Sequence, residues 1–368
     1  MLKDTLRILY ITTFYPSLDR PHHGIFFRDH AEALAKNYST AVLNCSVLSL
    51  KEKRIRFQKD GLFLKNDVFT LFQSSTTLSH RFKKFNSKKL ETVAIRGLKQ
   101  LENDWGKPDL IIAQCSLPAG ELALKISDQK RIPFGIIEHF SFLSEQIKHE
   151  KNRMAPIYNK AAFLCSVNSR LKVLMEENFK KNVIKIDNVI SSEFSLRSNN
   201  LNPSPFRWLH IGYDDPKKGA DLIRGLLDLR PNLHLTVVGS GLEKYIKVSN
   251  TNVRYIPTAK RDEIIKLMHQ HHAFLSVSRT ETFGMAIVES LATGMPAVVT
   301  KSGGPESYFS NDYGFICNQN AEEINTSMLK LEEQYAQFDS SKISSSILSK
   351  FGAANYIAQL EQIIQTVL

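Results

Sequence analysis

Residues 273–300 read AFLSVSRTETFGMAIVESLATGMPAVVT. AFLSVS, ending at Ser278, is a strand-like apolar run, and Arg279 to Phe283 reads as the loop at its carboxyl end. Gly284 opens a helix in which Met285, Val288, Leu291 and Ala292 recur at helical spacing. Gly294 and then Pro296 end it, as a glycine just past a C-cap and a following proline do. Ala297–Thr300 is the next apolar run. Strand, loop, helix and strand in this order predict a parallel α/β unit. The pattern places Glu281 on a loop at the edge where such folds bind ligands, and Glu289 one to two turns into the helix.

That placement suits a nucleotide sugar. A helix N-terminus offers unpaired N–H groups and the positive end of a dipole, which stabilise a diphosphate. Gly284 lets backbone approach closely. Carboxylates at 281 and 289 can accept hydrogen bonds from sugar and ribose hydroxyls. Two glutamates eight apart carry no weight by spacing alone, and two surface glutamates are the plain alternative.

Outward from this segment the same rhythm recurs. Strands are predicted at Leu6–Thr12, Thr40–Val47, Asp109–Gln114, Phe134–His139, Phe163–Val167 and Val183–Asp187. A second series runs through Arg207–Gly212, Leu233–Val238, Val253–Ile256, Ala273–Ser278 and Ala297–Thr300. Helical stretches lie between them, including Gly120–Asp128, Arg170–Phe179, Ala220–Leu229 and Arg261–His269. Continuous apolar runs fit parallel strands covered on both faces. The polar stretch Ser191–Pro205, SSEFSLRSNNLNPSP, lacks periodicity and is the candidate linker. The chain of 368 residues thus divides into a first domain over 1–190, a linker over 191–205 and a second domain over 206–350, with a last helix over 351–368.

Composition is that of a globular protein, 42% hydrophobic and 23% charged, with a formal net charge of +11 that favours anionic partners. No stretch reaches the roughly 18 apolar residues a membrane-spanning helix needs, and the N-terminus has no signal-peptide cleavage pattern. A cytoplasmic location follows as an expectation. Cys45, Cys115, Cys165 and Cys317 lack metal or redox spacing and read as reduced, mostly buried thiols. His269, His271 and His272 read as an exposed helix end, and Asp214-Asp215 is not an Asp-x-Asp metal motif. Neither a dinucleotide fingerprint nor a GxxxxGK[ST] phosphate loop is present. His80–Gln100, HRFKKFNSKKLETVAIRGLKQ, is rich in cations, among them Arg81, Lys83 and Lys84. It is either an anionic-membrane or acidic-acceptor surface, with a possible peripheral contact at the inner membrane face, or a solvated basic helix. Phe82 and Phe85 among the lysines give only a faint nucleic-acid pattern, so no nucleic acid is expected as partner.

The string Glu281-Thr-Phe-Gly-Met-Ala-Ile-Val-Glu289, the helix ending in Gly294-Met-Pro296, and Gly303-Gly304-Pro305-Glu306 together resemble the signature of retaining glycosyltransferases of the GT-B fold, in particular glycosyltransferase family 4. The resemblance extends over most of the chain. Pro108–Ser141 is similar to the family segment ending in a strand and a histidine, here His139, which in the family contacts the transferred sugar. Phe14–Leu34 resembles the family's first loop and helix, with Gly24 at the glycine whose backbone approaches the donor phosphate or the acceptor. His22 and His23 precede it on the acceptor side or are merely exposed. Asp187-Asn188-Val189-Ile190 looks like the family's domain junction. Trp208–Ile223 resembles the strand and loop that deliver an arginine and a lysine to the diphosphate. Lys218-Gly219 matches the Lys-Gly pair, and Tyr213 stands where the arginine is usual. Tyr255-Ile256-Pro257 falls where the base is held.

The resemblance implies two Rossmann-like, doubly wound α/β domains with parallel sheets facing across a cleft. The second domain would hold the donor, and the last helix would return to the first. It implies a retaining, metal-independent transferase that moves a hexose-type sugar from a nucleoside diphosphate to a glycan or lipid-linked acceptor, in cell-surface glycan, polysaccharide or glycolipid synthesis, with no cofactor. His139, Glu281 and Lys218 would carry catalysis. Gly24, Lys218, Ile256, Phe283, Gly284, Met285 and Glu289 would bind donor, while His23, Arg81, Lys83 and Lys84 would lie on the acceptor or membrane side. A nucleotide-sugar 2-epimerase of the same fold and an inactive glycan- or nucleotide-binding module remain open.

Overall fold

A computed structural model describes residues 6–197, 204–247 and 249–368. It divides into one unit of residues 1–189 and 353–368 and a second of 190–352. In the first, the strands are β1 (Arg7–Thr12), β2 (Ser39–Ser49), β3 (Gly61–Lys65), β4 (Val68–Thr77), β5 (Leu110–Gln114), β6 (Phe134–Glu138), β7 (Phe163–Ser166) and β8 (Ile184–Lys185). They form one sheet in the order β3-β4-β2-β1-β5-β6-β7-β8. All neighbours run parallel except β3 and β4. The helices are α1 (Ile25–Leu34), α2 (Leu50–Ile55), α3 (Lys83–Asp104), α4 (Glu121–Lys130), α5 (Leu143–Lys160) and α6 (Ser169–Phe179). The central strands are apolar on both faces, with Ile8–Ile11 and Leu110–Ala113 buried throughout, as crossover helices on both faces of a parallel sheet require.

The second unit has β9 (Trp208–Ile211), β10 (Leu235–Val238), β11 (Val253–Ile256), β12 (Ala273–Ser276), β13 (Ala297–Thr300) and β14 (Gly314–Cys317). Their order is β11-β10-β9-β12-β13-β14, all parallel. Its helices are α7 (Asp221–Leu229), α8 (Arg261–Gln270), α9 (Met285–Ala292), α10 (Ala321–Glu333) and α11 (Ser340–Phe351). The chain then re-enters the first unit as α12 (Ala353–Ile364), where the Tyr356 hydroxyl meets that of Tyr10 at 2.8 Å. Strand order reverses at β1, between β2 and β5, and at β9, between β10 and β12. Each reversal opens a crevice at the carboxyl ends of the strands.

Three sequence expectations need correction or completion. Of the expected linker, residues 198–203 lie outside the described residues. Residues 191–197 pack into the second unit, where Phe194 is buried and Arg197 donates to the His271 carbonyl at 2.8 Å. His271 and His272 are buried rather than an exposed helix end, because the chain turns inward there to enter β12. His271 bonds the Leu267 carbonyl and Thr236 Oγ1, while His272 Nδ1 accepts from the Arg207 amide. Val183–Asp187 contributes only the two residues of β8. Conversely, β3, β4 and β14 form where no strand was expected.

Candidate active site

In the second unit the strand reversal at β9 decides which loops meet. β9 and β12 are neighbours, so the loops leaving their carboxyl ends adjoin although they lie some sixty residues apart in sequence. Asp215 accepts from the Lys217 amide at 2.8 Å with its carboxylate and from the Lys218 amide at 2.8 Å with its carbonyl. This tight turn projects Lys218. The Lys217 carbonyl accepts from the amides of Arg279 and Thr280 at 2.6 and 3.0 Å, which ties the turn to the loop after β12. The Arg279 guanidinium forks onto Asp221 at 2.5 and 2.6 Å and holds the same two loops from outside.

Lys218 Nζ and Glu281 Oε1 lie 2.7 Å apart, and both side chains are largely buried. Ser278 Oγ donates to the same carboxylate oxygen at 2.6 Å. The second Glu281 oxygen is left to accept from a ligand hydroxyl. Lys218 Nζ also stands 5.6 Å from the Tyr213 ring centre, so the tyrosine face takes up part of its charge. Burial and the nearby Lys218 charge also hold the His210 imidazole down to about 4.

Gly284 caps α9 with φ +88°, a left-handed conformation for which it has no side-chain penalty. As first-turn residues, Met285 and Ala286 have amides without an intrahelical acceptor. The loop is braced from behind. The Gly303 amide donates to the Glu306 carboxylate, and Tyr308 Oη donates to the Phe283 carbonyl at 2.9 Å. The Phe283 ring is turned into the core against Tyr308 and Phe351, so only its backbone faces the loop. Glu289 is faced by Arg261 at 3.8 Å. The Ile256 carbonyl accepts from the Gly239 amide at 2.9 Å. Lys218, Glu281, Gly284 and Met285 therefore come together, with Glu289 further along the same helix. Sequence reasoning missed Ser278 and Arg261. Ser278 belonged to the decisive segment but nothing marked its hydroxyl, and Arg261 had no signal beyond opening a helix.

In the first unit, His139 follows β6 and is buried. Nε2 donates to Gln114 Oε1 at 2.8 Å, which leaves Nδ1 as the bare acceptor. Its backbone is pinned by Glu138, whose buried carboxylate accepts from the amides of Ser116, His139 and Phe140 and from Tyr158 Oη. His30 lies 5.3 Å from the His139 ring, and Asn188 lies beside both imidazoles. Nδ1 of His139, both nitrogens of His30 and Oδ1 of Asn188 make no hydrogen bond of good geometry among the described residues. Burial drives the His30 imidazole down to about 3 and His139 well below its ordinary value, so both are neutral at pH 7. Gln114 and His30 carried no recognisable sequence signal, and Asn188 was marked only as part of the Asp187–Ile190 junction, not as a neighbour of His139.

Gly24 caps α1 with φ +69°, and a Cβ there would lie 2.3 Å from the Phe14 carbonyl oxygen. His23 lies against Phe14 with the two rings tilted by 46°, and its imidazole is lowered to about 4 by partial burial and Arg20. Arg81, Lys83 and Lys84 are exposed. Among the described residues, no group of three His, Cys, Asp or Glu side chains is placed to hold a metal ion, and no helix is long and apolar enough to cross a membrane.

Residues 191–343 match the family described as glycosyl transferases group 1. Over 224 residues the chain is 28% identical to an uncharacterised glycosyltransferase of Methanocaldococcus jannaschii, covering 58% of this chain and 62% of the relative. It is 26% identical over 144 residues to an N-acetyl-alpha-D-glucosaminyl L-malate synthase of Bacillus anthracis, covering 36% of this chain and 38% of the relative. The chain thus spans less than two thirds of either. Among solved structures, it superposes on a sucrose-phosphate synthase from Thermosynechococcus elongatus with a TM-score of 0.76, at 15% identity and 98% coverage of each chain. It superposes on Anabaena HepE in complex with UDP-glucose with a TM-score of 0.73, at 15% identity over 98% of this chain and 100% of that one. The shared fold is GT-B.

Proposed function

We propose, from the premise that this chain has the GT-B fold with a glycosyl transferases group 1 domain at residues 191–343, that it transfers a hexose-type sugar from a nucleoside diphosphate to an acceptor hydroxyl with retention of configuration. The observation that carries this reading is the Lys218–Glu281 pair beside the N-terminus of α9. A cation and free helix amides suit a diphosphate, and an adjoining carboxylate suits sugar hydroxyls. As the sugar–phosphate bond breaks, negative charge grows on the departing diphosphate. Lys218 and the amides of Met285 and Ala286 would stabilise it from fixed positions. Glu281, oriented by Ser278, would hold the sugar, and Glu289 would take the ribose. The HepE complex with UDP-glucose, a protein of the same fold, supports a donor of this class.

His139 belongs to this reading as a neutral, precisely held imidazole whose Nδ1 accepts from a hydroxyl of the transferred sugar. The first unit would receive a glycan or lipid-linked acceptor past Gly24 and His23, with the cations Arg81, Lys83 and Lys84 on that side. No metal or other cofactor takes part, and the reaction would serve cell-surface glycan or glycolipid synthesis in the cytoplasm. Transfer from a panel of nucleotide sugars tests the proposal. Product should form in the presence of EDTA and keep the donor's anomeric configuration. Loss of activity on chelation, or an inverted product, would contradict it.

A further inference from the structure

The positive charge of the chain is concentrated. Residues 50–60 hold five cations and two acids, and residues 78–89 hold five cations and no acid. Together they account for eight of the net eleven charges. The sheet sets these segments side by side. Ser49 and Thr77 are register partners at the carboxyl ends of β2 and β4, so α2 and the chain after β4 leave the sheet at the same edge. Lys53 Nζ donates to Thr76 Oγ1 at 3.3 Å, His80 meets Glu52 at 2.7 Å, and Lys89 Nζ donates to the Thr76 carbonyl.

The same two segments expose six large apolar side chains. Leu50, Ile55 and Phe57 come from the first, and Leu78, Phe82 and Phe85 from the second. Each is more than half exposed, with Phe57 at 77% and Leu78 at 82%. Single exposed apolar residues are ordinary, but a cluster ringed by cations is not. A solvated basic helix would turn its apolar residues inward. α3 does so only beyond its first two turns, where Leu90 packs on the core and Val93, Ala94, Leu98 and Leu101 are buried. A soluble polyanion would engage the cations but offer no place for Leu50, Ile55 and Leu78.

We propose that α2, Phe57 and residues 78–89 form one interfacial face that seats the first unit on an anionic bilayer. The apolar side chains enter the boundary between headgroups and acyl chains, and the lysines and arginines meet the lipid phosphates. A pocket of about 450 Å³ adjoins this face and shares Ile55 and Phe57 with it, with Leu18, Arg20 and Arg56 also in its wall. Docking brings the pocket mouth to the membrane surface, where a lipid-linked acceptor would reach it. This last step rests on the transferase reading above.

Co-sedimentation of the full chain with vesicles tests the face. The wild type should bind vesicles of equal parts phosphatidylcholine and phosphatidylglycerol, and not phosphatidylcholine alone. Each cation near an anionic surface is worth about fivefold in affinity, so Arg81→Gln/Lys83→Gln/Lys84→Gln should lose about a hundredfold. Phe57→Ser/Leu78→Ser/Phe82→Ser should lose at least about tenfold, since the inserted apolar area also contributes to binding. All six positions are at the surface, so Tm should not move, and donor-induced stabilisation should be kept. Equal binding to neutral vesicles, unchanged binding of either variant, or binding to RNA with none to vesicles would overturn the proposal. Loss of donor binding in the wild type would instead sink the transferase reading and leave the docking face standing.

Discussion

Lys218 meets two groups, the carboxylate of Glu281 and the face of Tyr213. Only the first would orient the sugar, so the two partners are separable by mutation. Lys218→Ala removes the cation beside the departing diphosphate. It should lower kcat by about a hundredfold to a thousandfold, the range for losing one group that stabilises developing charge. Tyr213→Phe keeps the ring face and should leave kcat within about twofold, because the contact is with the π-system rather than the hydroxyl. A steady-state assay checks both. Equal losses in the two variants would contradict the assigned roles. Gly219, next to Lys218, has φ +62°, and a Cβ there would lie 2.1 Å from the Val277 carbonyl oxygen. Gly219→Ala should therefore destabilise the chain by about 1–3 kcal/mol in urea unfolding, and an unchanged midpoint would contradict that strain. At this scale the sequence displayed Glu281, Gly284 and Lys218 through motif strings. It could not display Ser278, Arg261 or Gln114, whose roles depend on which strands become neighbours.

Elements were legible where their hydrophobic pattern was one-sided or continuous. β1, β5, β11 and β13 match apolar runs closely, and α9 announced itself by spacing and by Gly294. β4 was not legible, because Thr70, Gln73, Ser74, Ser75 and Thr76 interrupt its apolar residues. It is held by register with β2 and by Asp60, which accepts from the Ser74 amide and hydroxyl. Those contacts are long-range and leave no periodic trace. α12 raises a stability question of its own. Its Tyr356 is buried and bonds Tyr10, a residue 346 positions earlier. Tyr356→Phe would strand the Tyr10 hydroxyl in the core of the first unit and should cost about 1–3 kcal/mol. Urea unfolding measures it, and an unchanged free energy would show that the pair does not help dock the helix.

Over the whole molecule, buried imidazoles in both units set a common pH response. His30 is lowered to about 3, and His210 and His271 to about 4, each chiefly by burial. In the unfolded chain a histidine titrates near pH 6.5. Between about pH 6.5 and 4 the unfolded state therefore binds protons that the folded state does not, and stability falls as pH falls. Each such histidine contributes a slope of up to about 1.4 kcal/mol per pH unit. His30→Gln should flatten the profile by that amount between pH 6 and 5, and an unaltered slope would mean that His30 takes up its proton in the folded state. The central claim is that the second unit binds a nucleoside diphosphate through Lys218 and the start of α9. Thermal unfolding with a panel of nucleoside diphosphates tests it most directly, because a ligand of the native state raises Tm by mass action. At least one member should raise the wild-type Tm, and Lys218→Ala should abolish the rise. A panel without effect, or a full rise in the variant, would contradict the claim.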